Sequence, residues 1–354
     1  RTDGNAPAPR GGGWARDHEV GGQLSAVGGD TEGGLTQFLG LRPGDFRCVS
    51  RLDDHQVIRT VAWSPAFDAS FFAYGTSGRS LRLCGVTGDE RLVVVHEEDN
   101  FHAGSIYAIA WASDGGTIAT ASNDKTVKLL HVATDGDGFE ALDSVTLQGH
   151  TGTVRAVKFA DKTRRGCLLS GGAGDNAARM WDATTSVCVS SFVGHVDHIQ
   201  ALDVAPTRDL FATGGRDGVV RLWDLRTDTE VAVMPQPSDE VFSLHFDLNS
   251  TVLAAGYGVG NAHLWDLRSH RIFHTFGHHK EQCRSAEFSP DGKWLLTTSF
   301  DSTVAIVQVD DDSNLTRLTD HTDRVVQASW HGIMPWILSC GVDKSVRLWS
   351  TRQP

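Results

Sequence analysis

Along most of the chain, apolar residues alternate with polar ones at a spacing of two. That is the mark of strands with one buried face. In Val154-Arg155-Ala156-Val157-Lys158-Phe159 one face is wholly apolar and the other mostly polar. The run Ile58-Arg59-Thr60-Val61-Ala62-Trp63 has the same character and returns from Ile106, Val154, Ile199, Val241, Cys283 and Val325, at intervals of 48, 48, 45, 42, 42 and 42 residues. After each comes a second apolar run ending in small residues, then a turn. A third run follows, such as Val219-Val220-Arg221-Leu222-Trp223. No segment sustains a 3.6-residue period, so very little helix is predicted.

A unit of about 40–45 residues with four strands belongs to propellers, and seven units lie within the usual blade count. The reading is therefore an all-β, seven-bladed propeller over 46–354, preceded by a Gly-rich extension over 1–45. A propeller must hide the free edge between its first and last blades. The chain runs out soon after Trp349, which leaves the last blade one strand short, and residues 46–51 are placed to supply it.

Polar residues recur at fixed offsets inside the units. Gly194-His195, Thr213, Asp217 and Trp223-Asp224 form one complete set, and His321, Ser339, Asp343 and Trp349 form another. The units from Ile106 and Cys283 hold His102, Thr120 and Asp124, then His279, Thr297 and Asp301, with Leu130 and Val307 in place of Trp. The unit from Val154 has His150, Asp175 and Trp181, with Gly171 at the expected hydroxyl position. The unit from Val241 keeps Trp265-Asp266, and the unit from Ile58 keeps nothing of the set. This pattern resembles the WD40-repeat family, whose signature is Gly-His, a Ser or Thr, an Asp and Trp-Asp. Ser/Thr, His and Asp can also make a catalytic triad. A catalytic set would occur once, however, whereas this one recurs with the blades. It reads as a buried hydrogen-bond relay in which every polar atom finds a partner. Units without the set are expected to lean on apolar packing and to deform more easily.

Composition narrows the function. The net charge is −12, which disfavours non-specific binding to nucleic acid or anionic lipid, so neither is expected as a partner. No stretch nears the roughly 18 apolar residues needed to span a bilayer. Six scattered cysteines without a CxxC pair suggest reduced thiols in a cytoplasmic protein, not a zinc site or a disulfide framework. A start at Arg1 implies a longer parent protein, and no signal peptide is visible. Residues 1–45 hold twelve glycines and cannot bury enough apolar surface to order themselves. They would order only against a partner or against their own propeller, with Trp14, Leu24, Leu35, Phe38 and Leu41 as anchors.

A closer resemblance lies in Arg51-Leu52-Asp53-Asp54, Val57-Ile58-Arg59-Thr60-Val61-Ala62, Gly104-Ser105-Ile106-Tyr107, 119–125, Gly172-Ala173-Gly174-Asp175 and 285–290. These are similar to the C-terminal propeller of nemitin-type WD-repeat proteins, including a degenerate first blade. That resemblance implies a non-enzymatic scaffold in the cytoplasm and cytoskeleton, with microtubule-associated or axonemal partners and possible placement in the cilium.

Other chemistry reads weakly. Gly256-Tyr257-Gly258-Val259-Gly260 lies between strands and no Lys-Ser/Thr follows, so it is a turn and not a phosphate loop. His274, His278 and His279 lack a regular ligand set, so neither metal nor cofactor is expected. Trp223-Asp224-Leu225-Arg226 and Trp265-Asp266-Leu267-Arg268 resemble the boxes of substrate receptors for cullin-4 ubiquitin ligases, the alternative function. The starts of the innermost strands should surround one channel entrance. There the sequence offers Arg59, Tyr107, Arg155, Phe242, Arg284 and Arg324, with Arg216 and Phe300 in neighbouring turns, as a protein-binding face.

Overall fold

The computed structural model describes residues 38, 41–65, 70–135, 138–160, 166–235 and 239–351. Seven four-stranded antiparallel sheets are arranged as blades around a channel. Blades one to six each run in chain order from the channel outwards, and their innermost strands begin with Ile58–Trp63 and end with Cys283–Phe288. In the seventh blade, Val325–Trp330 is innermost and Arg47–Asp53 is outermost. This closing strand pairs with Ser345–Ser350 from Arg47↔Ser350 to Asp53↔Ser345, with a bulge between Cys48 and Ser50. It begins one residue later than expected and runs two residues further, because Phe46 follows a short 3-10 turn (Pro43–Asp45) and packs inwards.

The buried apolar residues form seven clusters, one in each gap between neighbouring blades among the described residues. The sheets are therefore held by faces, and each blade needs both neighbours to bury its surface. Phe38 and Phe46 join the cluster between blades six and seven, edge-on to Trp330 at 6.1 and 5.9 Å, and Leu41 packs beside them. These anchors thus rest on the chain's own propeller, whereas Trp14, Leu24 and Leu35 lie outside the described residues.

The relay has the geometry its spacing implies. Trp223 Nε1 donates to Thr213 Oγ1 at 2.8 Å, Thr213 meets His195 Nε2 at 2.8 Å, and His195 Nδ1 reaches Asp217 at 2.9 Å. Trp349, Ser339, His321 and Asp343 repeat it at 2.8, 2.7 and 2.8 Å. Burial holds His195 and His102 below the usual histidine range, against the pull of Asp217 and Asp124. Burial alone would raise Asp343, but hydrogen bonds from His321 and Ser345 hold it far below the carboxylate range. At His195 and His102 the shift favours a neutral imidazole beside the carboxylate.

Three degenerate units are better satisfied than their sequence suggests. In the third blade the hydroxyl is Ser170, not Gly171. It receives Trp181 Nε1 at 2.8 Å and meets His150 Nε2 at 2.7 Å. The turn before Asp175 holds one extra residue, which displaces a count made backwards from Trp. Gly171 has another duty: a Cβ there would come within 2.6 Å of Ile199 in the next blade. In the sixth blade, His278 as well as His279 reaches Thr297, at 2.8 and 2.9 Å, so His278 takes the donor role of the missing indole. In the first blade, Asp54 stands at the histidine position and accepts from Tyr74 at 2.9 Å. The fifth blade keeps one link, Trp265 Nε1 to Tyr257 Oη at 3.2 Å.

Candidate partner-binding site at the channel mouth

The second residue of every innermost strand points into the channel. Around the ring these are Arg59, Tyr107, Arg155, Gln200, Phe242, Arg284 and Val326. They line one end of a central cavity of about 790 Å³. A β-bulge accompanies this: in all seven inner strands the pairing with the second strand shifts between the first and third residues, which lifts the second out of the regular ladder.

Guanidiniums and rings interleave. Arg59 and Arg155 lie over Tyr107, 4.8 and 4.9 Å from its centroid. Arg284 lies over Phe242 at 4.1 Å and over Phe300 at 5.0 Å, and Arg324 lies over Phe300 from the rim at 5.1 Å. Seven of the eight residues expected at this face are therefore joined by cation–π contacts. Arg216 differs, being engaged by Glu240 at 2.9 Å. Gln200 donates to the other oxygen of Glu240 at 2.9 Å. Deep placement, then repulsion from Arg155 and Arg59, lowers the Arg284 guanidinium to about 10. The Nε atoms of Arg59, Arg155 and Arg284 are buried without a hydrogen-bond partner.

A second set lines the same channel three residues further along each strand, and sequence reasoning missed it. Lys158 meets Asp203 at 3.2 Å, and that carboxylate holds the ammonium above its ordinary range. Asp203 accepts the backbone N–H of Phe246 at 2.9 Å. His245 Nδ1 accepts that of Phe288 at 3.3 Å, and Glu287 accepts that of Trp330 at 2.9 Å. Burial pushes Glu287 up. The signal was present: the fifth positions of three successive inner strands read Asp203, His245 and Glu287, where a solvated face would not require acceptors.

His274 bonds Asp312 at 2.7 Å, whereas His278 and His279 both serve Thr297. No group of three His, Cys, Asp or Glu side chains able to hold a metal occurs among the described residues. Arg226 and Arg268 project from adjacent blades with side chains 69% and 80% exposed, and among the described residues each is tied to carboxylates of its own blade.

Comparison with known proteins agrees with the fold. The WD domain, G-beta repeat family matches residues 97–130 and 143–182, and the family of Nucleolar protein 10-like N-terminal domains matches 168–334. The anaphase-promoting complex subunit cdc20 of Dictyostelium discoideum is 28% identical over 25% of this chain and 17% of its own length. THO complex subunit 3 of Arabidopsis thaliana is 28% identical over 25% of this chain and 26% of its own. A Poly(A)+ RNA export protein of Schizosaccharomyces pombe is 25% identical over 36% of this chain and 34% of its own. The matched part is thus about a third or less of each of these relatives.

Proposed function

The chain is a seven-bladed WD40-repeat β-propeller, and from that premise we propose that it is a non-enzymatic docking platform which holds a protein partner at the arginine-lined channel mouth. The observation that carries this is the set of unpaired guanidiniums and aromatic rings at one rim of an otherwise acidic molecule. Arg and aromatic side chains dominate the energetics of protein contacts, and among the described residues the side chains of Arg59, Arg155, Arg284 and Arg324 make no ion pair, whereas Arg216 pairs with Glu240.

Against catalysis stands the use of the reactive side chains. The hydroxyls of Thr213 and Ser339 sit on residues with no exposed surface, and their lone pairs and protons are consumed by the neighbouring indole and imidazole. A substrate has no route to them.

The partner's identity is a finer proposal. The likeness to nemitin-type propellers supports a microtubular or axonemal partner in the cytoplasm or cilium. The relatives above carry names from the anaphase-promoting complex, the THO complex and poly(A)+ RNA export instead. Both point to a subunit of a larger assembly. The test is affinity purification with mass spectrometry, using the chain beside an Arg155→Glu/Arg284→Glu variant of unchanged melting temperature. Proteins lost with the variant are mouth partners, and their identity decides between cytoskeletal and RNA-linked assemblies. Identical recovery with both forms overturns the mouth as the contact face.

A further inference from the structure

An outermost strand carries a hazard, because a row of its backbone N–H and C=O groups faces outwards without a ladder partner. Folded chains guard such edges with charged side chains or proline. Six of the seven outermost strands here do so, with Arg51, Glu97, Glu140, Glu230, Arg271 and Asp311 exposed upon them. The outermost strand of the third blade, Val187–Val193, has neither charge nor proline, and no charged residue occurs from 183 to 194. It exposes Val187, Val189 and Val193 by 56%, 49% and 73% instead. Among the described residues no strand pairs with its outer edge. We propose that this edge is a docking site apart from the channel mouth, which takes an uncharged, extended segment of a protein partner, flanked by basic residues, as a fifth strand of the third blade.

The edge is held firmly from behind. Its inner side pairs with Ala177–Asp182, from Asp182↔Val187 to Ala177↔Val193. A bulge interrupts this ladder, but all seven outermost ladders have one, so it does not replace the missing charge. Phe192 sits edge-on to Phe211 at 4.8 Å and to Trp223 at 5.6 Å, in the gap to the fourth blade. The Ser190 hydroxyl donates to Asp228 of that blade at 2.5 Å. A strand fixed in this way offers its outward backbone groups without first having to order itself. An added strand would satisfy those groups, and its side chains would meet the exposed valines.

The surroundings select the occupant. A second copy of the chain fits poorly. Two convex rims would touch along one seven-residue strand, whereas a stable interface needs about 1,200–2,000 Å². Each copy would also bring a net charge of −12. A single segment can instead follow the rim towards Val231 and Val233, which are exposed on the next outermost strand. The carboxylates of Asp182 and Asp228 stand beside the uncharged edge, so basic residues suit the ends of the incoming segment.

The probe is a pool of peptides whose seven central positions are drawn from Val, Ile, Thr and Ser, matching the length of the edge, with a lysine pair at each end. One twin carries N-methyl groups at alternate backbone nitrogens, and another has glutamates in place of the lysines. Binding is read by fluorescence anisotropy and located by amide hydrogen exchange. The pool is expected to bind and to slow exchange in Val187–Val193, and not in the other outermost strands. N-methylation should weaken binding by at least about ten-fold, because several backbone hydrogen bonds are lost together. The glutamate twin should also bind more weakly. Val189→Lys/Ser191→Lys supplies the missing charge and should abolish binding, whereas Val187→Thr/Val193→Thr should only weaken it. All four side chains are exposed, and melting curves establish that each variant is folded. Arg155→Glu/Arg284→Glu should bind the pool as wild type does, so failure at the edge leaves docking at the mouth untouched. Equal binding of either twin overturns the assignment. So does slowed exchange elsewhere in place of Val187–Val193, or no binding at all. Sedimentation of the chain alone as a dimer that Val189→Lys/Ser191→Lys converts to a monomer gives the edge to a second copy and overturns the partner segment.

Discussion

Glu287 in the sixth blade accepts the backbone N–H of Trp330 in the seventh at 2.9 Å, across a gap where the two inner strands share no ladder. The Ser329 hydroxyl donates to the same oxygen at 3.1 Å. Asp203 and His245 repeat the relationship with Phe246 and Phe288. The ring is thus stitched along the channel by side-chain acceptors as well as packed between blades. Glu287→Ala should cost about 1–3 kcal/mol, because a buried N–H loses its acceptor. Glu287→Gln keeps an acceptor without the charge and should cost less. Urea unfolding at neutral pH measures both, and equal midpoints for Ala and wild type would refute the staple.

Asp217→Ala tests the relay. His195 Nδ1 and the backbone N–H groups of Val196 and Val219 all lose their acceptor. A loss of about 1–3 kcal/mol is expected, read as a lower melting temperature. An unchanged melting temperature would count against the relay as a stabilising element.

The relays also make the protein sensitive to acid. Burial, then His279 and Arg317, lowers His278 to about 3 in the folded chain, against an ordinary 6.5 when unfolded. The folded state therefore refuses a proton that the unfolded state accepts. The stability this contributes is complete above pH 6.5 and is lost as pH falls towards 3. Asp301 and Asp343, held well below the carboxylate range by their histidine partners, add a further loss below about pH 4. Melting temperature should fall steadily from pH 6.5 to 4, and His278→Gln should flatten that slope. Parallel curves for variant and wild type would show that His278 is not responsible.

Much of this architecture was legible because a propeller repeats its errors as well as its rules. Seven occurrences of one alternating run fixed the blade count, and the place of Arg59, Arg155 and Arg284 near the start of an innermost strand put them at the channel entrance. What escaped was local geometry. One extra turn residue moved the third blade's hydroxyl from Gly171 to Ser170. Substitutes drawn from other positions, such as His278 for an indole, leave no mark at the position that a repeat comparison inspects. The Asp203–His245–Glu287 arc was hidden because acceptors on an inner strand look like ordinary solvated residues until the neighbouring blade's N–H is seen beside them. The pairing of Arg216 with Glu240 was hidden in the same way, since it joins residues in different blades.

The paired Trp-Asp-x-Arg boxes give a sharp test of the ligase alternative. Arg226 and Arg268 are exposed and, among the described residues, held by ion pairs within their own blades, so Arg226→Glu/Arg268→Glu should leave the fold and the mouth untouched. On the docking reading, the variant recovers the same proteins as wild type. Recovery of the cullin-4 adaptor by wild type and its loss in the variant would establish the alternative instead.

The fourth and fifth blades should differ in local stability although their strands have similar lengths. The fourth has a complete relay, in which one hydroxyl is linked to both an indole and an imidazole. The fifth has a single link, Trp265 to Tyr257, longer at 3.2 Å. Its His263 turns away to Thr275 on the outer strand. The two blades share one apolar cluster, and each packs into a second with its other neighbour. Fewer satisfied polar links mean a lower free energy of local opening. Amide hydrogen exchange should therefore be faster in Ala262–Asp266 than in Val219–Asp224 under native conditions. Tyr257→Phe removes the remaining link and should widen the difference, at a cost of about 1 kcal/mol. Thr213→Val removes the hydroxyl that joins two partners and should bring the fourth blade's exchange towards that of the fifth. If exchange in the two strands is already equal in the wild type, the relay does not set blade rigidity.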